Sequence, residues 1–336
     1  MTEHLAIWRA LNAALRDALA ADDRVFVMGE DLTKWATGGG IYGVTKRLAD
    51  EFGTHRIRDT PISEEAIVAA GVGAAIQGCR PVVEIMYSDF SLLAMDPIVN
   101  QAAKTRYMFN GQFQVPLVIR SNGGSGIGKA AQHSQSLETL FAHIPGLEVV
   151  LPATPDDAYG LLRTAIQSPN PTIFLEHKAL YNVRGPVRRE PVPFGKARVA
   201  CEGSDLTIVA TQLMLHRALA VAARAAETGV YLEVIDPRTL YPLDLDTIAR
   251  SVAKTRRLLI AHEAPRDFGF GAEIAASLTE QCWDHLDAAP VRVAGARTPI
   301  PYAEELEREV IPDEDDLVRA IAQLVPTSAG IRTSQS

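Results

Sequence analysis

Cysteine is scarce in this chain: Cys79, Cys201 and Cys282 are odd in number and far apart among 336 residues. That excludes a disulfide framework and points to a reducing compartment, with the cytoplasm as the simplest location. No C-x-x-C or H-E-x-x-H pattern occurs, so no metal site made by this chain alone is visible in the sequence. The G-x-S-x-G elbow of serine hydrolases is missing too. No run reaches the ~18 apolar residues of a membrane span. The N-terminal stretch has neither a signal-type apolar core nor a Ser/Arg-rich transit composition. Basic residues are in deficit, 33 against 41 acidic, for a net charge of −8 with no basic stripe. The electrostatic footprint of nucleic-acid binding is therefore lacking. Aromatics make up only 6% while alanine is abundant, a composition suited to closely packed α/β layers.

What the chain does have is length for two cores, since single domains usually run to ~100–200 residues. Apolar residues recur at helical spacing through Leu5, Trp8, Leu11, Leu15 and Leu19. Short, continuously apolar runs predict strands at 25–28, 81–86, 116–120, 147–151 and 171–176. Helices are expected at 63–77, 90–108 and from Thr154, where an N-cap is followed by Pro155. Unbroken apolar strands alternating with helices are the pattern of a parallel sheet covered on both faces. Residues 181–195, with Pro186, Pro191 and Pro193, read as a linker. The second half repeats the style, with strands expected at 206–210, 231–235, 257–261 and 290–293. The expected architecture is α/β in two domains, 1–180 and 196–326, each a mainly parallel sheet with helices on both faces. A polar tail, 327–336, is expected to be disordered. A late acidic cluster (Glu304, Glu305, Glu307, Glu309, Asp313 to Asp316) reads as a solvated face or a dock for a basic partner.

One stretch organises the first half: Asp59-Thr60-Pro61-Ile62-Ser63-Glu64. Pro61 disfavours helix before it, and Ser63 is a suitable N-cap, so Glu64 falls in the first turn of an Ala/Gly-rich helix. A carboxylate there is either a partner of the helix dipole or a working acid, and its neighbours do not decide which. Gly38-x-Gly40-x-x-Gly43 spells a dinucleotide fingerprint, but the preceding strand ends ten residues earlier, too far for the tight turn that motif needs. Gly123 to Lys129 nearly spells a phosphate-binding loop, yet Ala130 stands where a hydroxyl for magnesium is required. Its glycines still offer backbone amides that a ligand can approach closely. His133 follows on the same loop, beyond the carboxyl end of a predicted parallel strand, where α/β folds place ligands.

With these residues in place the chain resembles the beta subunit of the thiamine-diphosphate-dependent decarboxylating component of 2-oxo acid dehydrogenase complexes. That family includes the pyruvate, branched-chain 2-oxo acid and acetoin enzymes. The resemblance runs from about Leu5 to Leu324. It is carried by GED (29–31), DTPISE (59–64), GCRPVVE (78–84), NQAAKTRYM (100–108), AAQHSQS (130–136), HIPGLEVV (143–150) and VIDPRTLYPLD (234–244). It implies a transketolase-like pyrimidine-binding domain followed by a transketolase C-terminal domain. Glu64 matches the glutamate that hydrogen-bonds the aminopyrimidine ring of thiamine diphosphate and favours the tautomer that activates the thiazolium carbon. Met86 and Phe90 match positions packed on that ring, and Glu30 matches an acidic position in the polar tunnel between paired active sites. His133 matches the loop histidine that assists acyl transfer to a lipoyl group.

Thiamine enzymes of this kind hold the diphosphate through magnesium on a Gly-Asp-Gly motif, and this chain contains none. The resemblance therefore implies an alpha subunit that supplies the diphosphate side and its magnesium, in an α2β2 heterotetramer, and a lipoyl-bearing acyltransferase core as the further partner. It also allows potassium near Leu117, Ala165, Ile166 and Asn170. Two positions depart from the family pattern. Pro97 follows Asp96 where Gln is usual, and Ser168 stands where many members have Asp beside the potassium site. A nicotinamide-linked dehydrogenase and a non-catalytic scaffold are the rival readings.

Overall fold

Strands that are apolar along their whole length need cover on both faces. In the computed structural model, which describes residues 3–33, 39–325 and Ile331, helices provide it. Gly38 of the fingerprint-like stretch and nearly all of the expected tail lie outside the described residues. The chain divides into two compact units, residues 1–123 with 140–194, and residues 124–139 with 195–336.

The first unit opens with β1 (Glu3–Ala6) and α1 (Ile7–Ala21), followed by β2 (Val25–Gly29), α2 (Leu48–Phe52), β3 (Ile57–Asp59), α3 (Glu64–Ile76) and β4 (Arg80–Ile85). After a helical stretch ending in α4 (Ala103–Met108) come β5 (Val118–Gly123), α5 (Glu138–Ala142), β6 (Glu148–Val150), α6 (Pro155–Gln167), β7 (Thr172–His177) and β8 (Arg184–Val187). Within this unit the sheet runs β6-β7-β5-β4-β2-β3, and every neighbouring pair is parallel. The chain passes from β2 to β3 on one side and then crosses to β4 on the other. Such a reversal leaves a crevice at the carboxyl ends of the strands, the usual ligand position in open α/β sheets. The Ala/Gly composition of α3 lets it lie close: a Cβ on Gly71 would stand 2.9 Å from Val83 and 3.0 Å from Leu117.

Two expectations change here. Residues 184–187, expected within a linker, pair as β8 with β1 in antiparallel register from Glu3↔Val187 to Ala6↔Arg184. The prolines had argued for a linker, but a two-stranded sheet consists only of edges, where proline is tolerated. The single long helix expected over 90–108 is three helical pieces: a 3-10 stretch (Ser88–Ala94), a π stretch (Pro97–Ala102) and α4. Pro97 has no N–H to give an i→i−4 bond, so the ladder changes register around it.

The second unit contains β9 (Arg198–Cys201), β10 (Leu206–Ala210), α7 (Gln212–Glu227), β11 (Leu232–Asp236), β12 (Thr239–Tyr241), α8 (Leu245–Thr255) and β13 (Leu258–Pro265). It continues with α9 (Phe270–Cys282), β14 (Val291–Gly295), α10 (Glu304–Val310) and α11 (Glu314–Leu324). Its five-stranded sheet, β14-β13-β10-β11-β9, is parallel except for β9 at one edge. No helix among the described residues is long and apolar enough to cross a membrane.

Gly29 sits where β2 meets β4. A Cβ there would lie 2.8 Å from the Glu84 carbonyl oxygen, so the two strand ends touch only because this residue has no side chain. Gly29→Ala is expected to cost about 1–3 kcal/mol by overpacking, read as a lowered urea midpoint at unchanged m-value.

Candidate active site

At the carboxyl ends of β2, β3 and β4 the chain places Glu30, Thr60 and Met86, one residue past each strand. The turn after β3 is pinned by Thr60 N donating to Gly29 O at 2.9 Å. Glu64 is then the first residue of α3, only 6% exposed, with Ser63 as N-cap but without a side-chain capping bond. No described residue hydrogen-bonds the Glu64 carboxylate. Glu30 Oε1 and Thr60 Oγ1 are buried without a partner. Burial first, and then the nearby charges of Glu64, Asp31 and Glu84, push the Glu30 carboxyl above its usual range.

Such a set of unmet acceptors fits the aminopyrimidine that the resemblance implies, which brings a protonatable ring nitrogen and an amino group. Met86 and Phe90 are half-buried just past β4. Between them Tyr87 holds φ at 75°, a left-handed backbone rarely taken by a bulky residue. Phe90 meets its ring edge-on at 6.3 Å and Lys178 Nζ lies 5.4 Å from its centre. That turn re-aims the chain away from the strand direction.

Behind the crevice lies a charged network that the sequence reading missed. Arg120 on β5, 2% exposed, donates from Nε and Nη2 to the two oxygens of Glu176 on β7, at 2.7 and 2.9 Å. Its Nη1 reaches Glu84 Oε2 on β4 at 2.5 Å. Tyr181 donates to Glu176 at 2.6 Å and stacks on Tyr42 with ring centres 4.4 Å apart. Burial disfavours the arginine's charge, but Glu176 and Glu84 more than offset that and hold its pKa above the ordinary value. A charged residue inside an otherwise apolar central strand, as in PVVEI or PLVIR, was the available signal. Arg120→Met should destabilise the protein by about 3–5 kcal/mol, because it strands the buried Glu176 and the partly buried Glu84 carboxylates; chemical denaturation measures this.

His133 belongs to the second unit, so the two expected catalytic residues, Glu64 and His133, come from different units. It is half-buried on a loop whose neck closes through Gly124 N donating to Gln135 O at 3.3 Å. Just past this loop, burial and then the neighbouring Glu263 push the Glu138 carboxyl up to about 7.

The oxygens expected to receive potassium are already engaged. Leu117 O accepts from Thr172 N at 2.9 Å and Ala165 O from Ser168 N at 3.2 Å. Ile166 O accepts from Arg80 Nη1 at 2.8 Å, and Asn170 Oδ1 from Arg106 Nη1 at 2.5 Å. Two guanidinium groups thus bring positive charge to this corner, and the Glu148 carboxylate, accepting from Ser168 Oγ at 2.8 Å and Asn170 Nδ2 at 3.0 Å, brings negative charge to it. Among the described residues, no group of three His, Cys, Asp or Glu side chains is placed to hold a metal ion.

Comparison with known proteins finds relatives over nearly the whole chain. The family described as the transketolase pyrimidine-binding domain matches residues 3–184, and the transketolase C-terminal domain matches residues 195–317. The chain is 44% identical over 324 residues to a mitochondrial pyruvate dehydrogenase E1 component subunit beta-2 of Oryza sativa subsp. japonica, covering 95% of this chain and 85% of that one. It is 41% identical over 336 residues to the acetoin:2,6-dichlorophenolindophenol oxidoreductase subunit beta of Bacillus subtilis (strain 168), covering 97% and 98%. In fold it resembles a solved split-gene transketolase, an inactive beta4 tetramer, with a TM-score of 0.78 at 20% identity over 96% of this chain and 99% of that one.

Proposed function

This chain belongs to the family of transketolase-like 2-oxo acid dehydrogenase beta subunits, and from that premise we propose that it forms half of a thiamine-diphosphate site for pyruvate or acetoin. Oxidative decarboxylation of the 2-oxo acid, or cleavage of acetoin, and acylation of a lipoyl domain are the reactions we assign to the assembled enzyme; a branched-chain 2-oxo acid is the alternative substrate. An alpha subunit supplies the diphosphate side with its magnesium, in an α2β2 heterotetramer that serves a lipoyl-bearing acyltransferase core. Three free, dispersed cysteines suit the cytoplasmic location we assign.

The observation that carries this reading is Glu64, buried at the head of α3, with orphaned oxygens on Glu30 and Thr60 in the same strand-end turns. When bound, the cofactor supplies an activated carbon that adds to the substrate carbonyl. The task of Glu64 is to share a proton with the pyrimidine ring nitrogen. Its position in the first turn of α3 aims the carboxylate at the strand ends. Glu30 extends the acidic patch and keeps a proton close at hand. Met86 and Phe90 offer apolar surface to the ring and exclude water, which strengthens the Glu64 bond. His133 acts at the later step, holding or delivering a proton at the lipoyl sulfur during acyl transfer.

Glu64→Gln in the complex co-expressed with its alpha chain should lower dye-coupled turnover about 10²–10⁴-fold. Isothermal titration with thiamine diphosphate and magnesium should show saturable binding by the αβ complex and none by this chain alone. Full binding by the lone chain would overturn the divided site.

A further inference from the structure

The loop that carries His133 is bound by carboxylates from its own unit. Glu307 on α10 accepts from Gly126 N at 2.8 Å through Oε1 and from Gly128 N at 3.2 Å through Oε2. Ser125 Oγ donates to Glu263 Oε1 at 2.6 Å. At the end of the segment Thr139 Oγ1 accepts from Phe270 N, the first residue of α9, at 3.1 Å. Glu307 is 2% exposed, although Glu304, Glu305 and Glu309 on the same helix face solvent. One member of the acidic cluster is therefore neither a solvated charge nor a docking residue. Its anion fills the cradle of backbone amides that would otherwise suit a phosphate.

Gly124, Gly126 and Gly128 all have left-handed backbone, at φ 77°, 89° and 62°. Such a run is costly to order, because glycine loses the most backbone freedom on folding. Hydrogen bonds from amides to a buried carboxylate are roughly twice as strong as neutral ones, and here they select one loop shape. The segment then turns through His133 N donating to Ala130 O at 3.3 Å, so the histidine's backbone is referenced directly to the clasped lobe.

We propose that Glu307 is a positioning residue: with Glu263 behind Ser125, it fixes the glycine-rich loop and so holds His133 in place for acyl transfer. The proposal rests on the role assigned to His133 above. In Glu307→Gln an NH2 group faces one of the two backbone N–H donors, donor against donor, and half of the clasp is lost.

The test compares two reactions of the co-expressed αβ complex: dye-coupled decarboxylation, which needs no acyl transfer to lipoyl, and reductive acylation of a lipoyl domain. For Glu307→Gln, acylation should fall about tenfold or more, since small misplacements of reacting groups cost up to ~10²-fold, while dye reduction is unchanged. Trypsin cleavage after the exposed Lys129 should become several-fold faster. Ser125→Ala should show the same split more weakly, and it carries the test if Glu307→Gln does not assemble. Equal loss in both reactions, or no loss with unchanged cleavage at Lys129, overturns the proposal. His133→Ala is the separate control. If it shows no split, the role of His133 falls, while the cleavage rates still decide whether Glu307 clasps the loop.

Discussion

Two carboxylates on strands of a dry central sheet repel one another and cannot keep their charge unaided. Glu84 and Glu176 are placed in just this way, on β4 and β7, with β5 between them. Arg120 on the middle strand answers both, and its three hydrogen bonds tie the strands together by side chains as well as by backbone. Remove the guanidinium and the middle of the sheet holds unpaired negative charge. With it in place, the carboxyl end of the sheet has a stiff, acidic floor on which Glu30 and Glu64 stand. The elevated pKa of Glu30 follows first from burial and then from the charges of Glu64, Asp31 and, last, Glu84 of that floor.

The site is built from strand ends and one helix start, so its precision comes from backbone geometry. Gly29 lets β2 and β4 meet at contact distance, and Thr60 N bonds back to Gly29 O. Glu64 is aimed by a helix that lies close to the sheet through Gly71. The residues that touch the cofactor under our reading are few, and the residues that fix those few are mostly glycines and a buried arginine. Among the buried oxygens left unmet at these strand ends are Glu30 Oε1 and Thr60 Oγ1. Under our reading a donor-bearing ring completes them.

Most of this was legible wherever the physics is local. Continuously apolar runs gave the parallel strands, and Pro61 with Ser63 gave the start of α3 at Glu64. The family motifs then gave Glu64 its role, which the neighbouring residues alone left open. The rest was hidden because it depends on partners far along the chain. Arg120, Glu84 and Glu176 are single charges in apolar runs, and only the strand order shows that they meet. Proline-rich residues 184–187 form a strand because β1 is there to pair with them. Glu307 has the sequence surroundings of a solvated acid, and nothing in EELEREV marks the one residue that turns inward. The loop 124–139 has no periodicity at all, so its membership of the second unit could not be read from pattern.

That membership has a consequence for how the chain is made. Residues 124–139 are synthesised among those of the first unit, yet the carboxylates that hold them lie 138 to 181 positions further on. At ~5–20 residues per second the ribosome needs roughly ten to forty seconds to reach Glu307. Through that interval the glycine-rich segment has none of its side-chain anchors from α10. A single cut between the units would leave it with the wrong half, so neither half can be produced intact as a simple fragment. The loop histidine is set in place only when nearly the whole polypeptide exists.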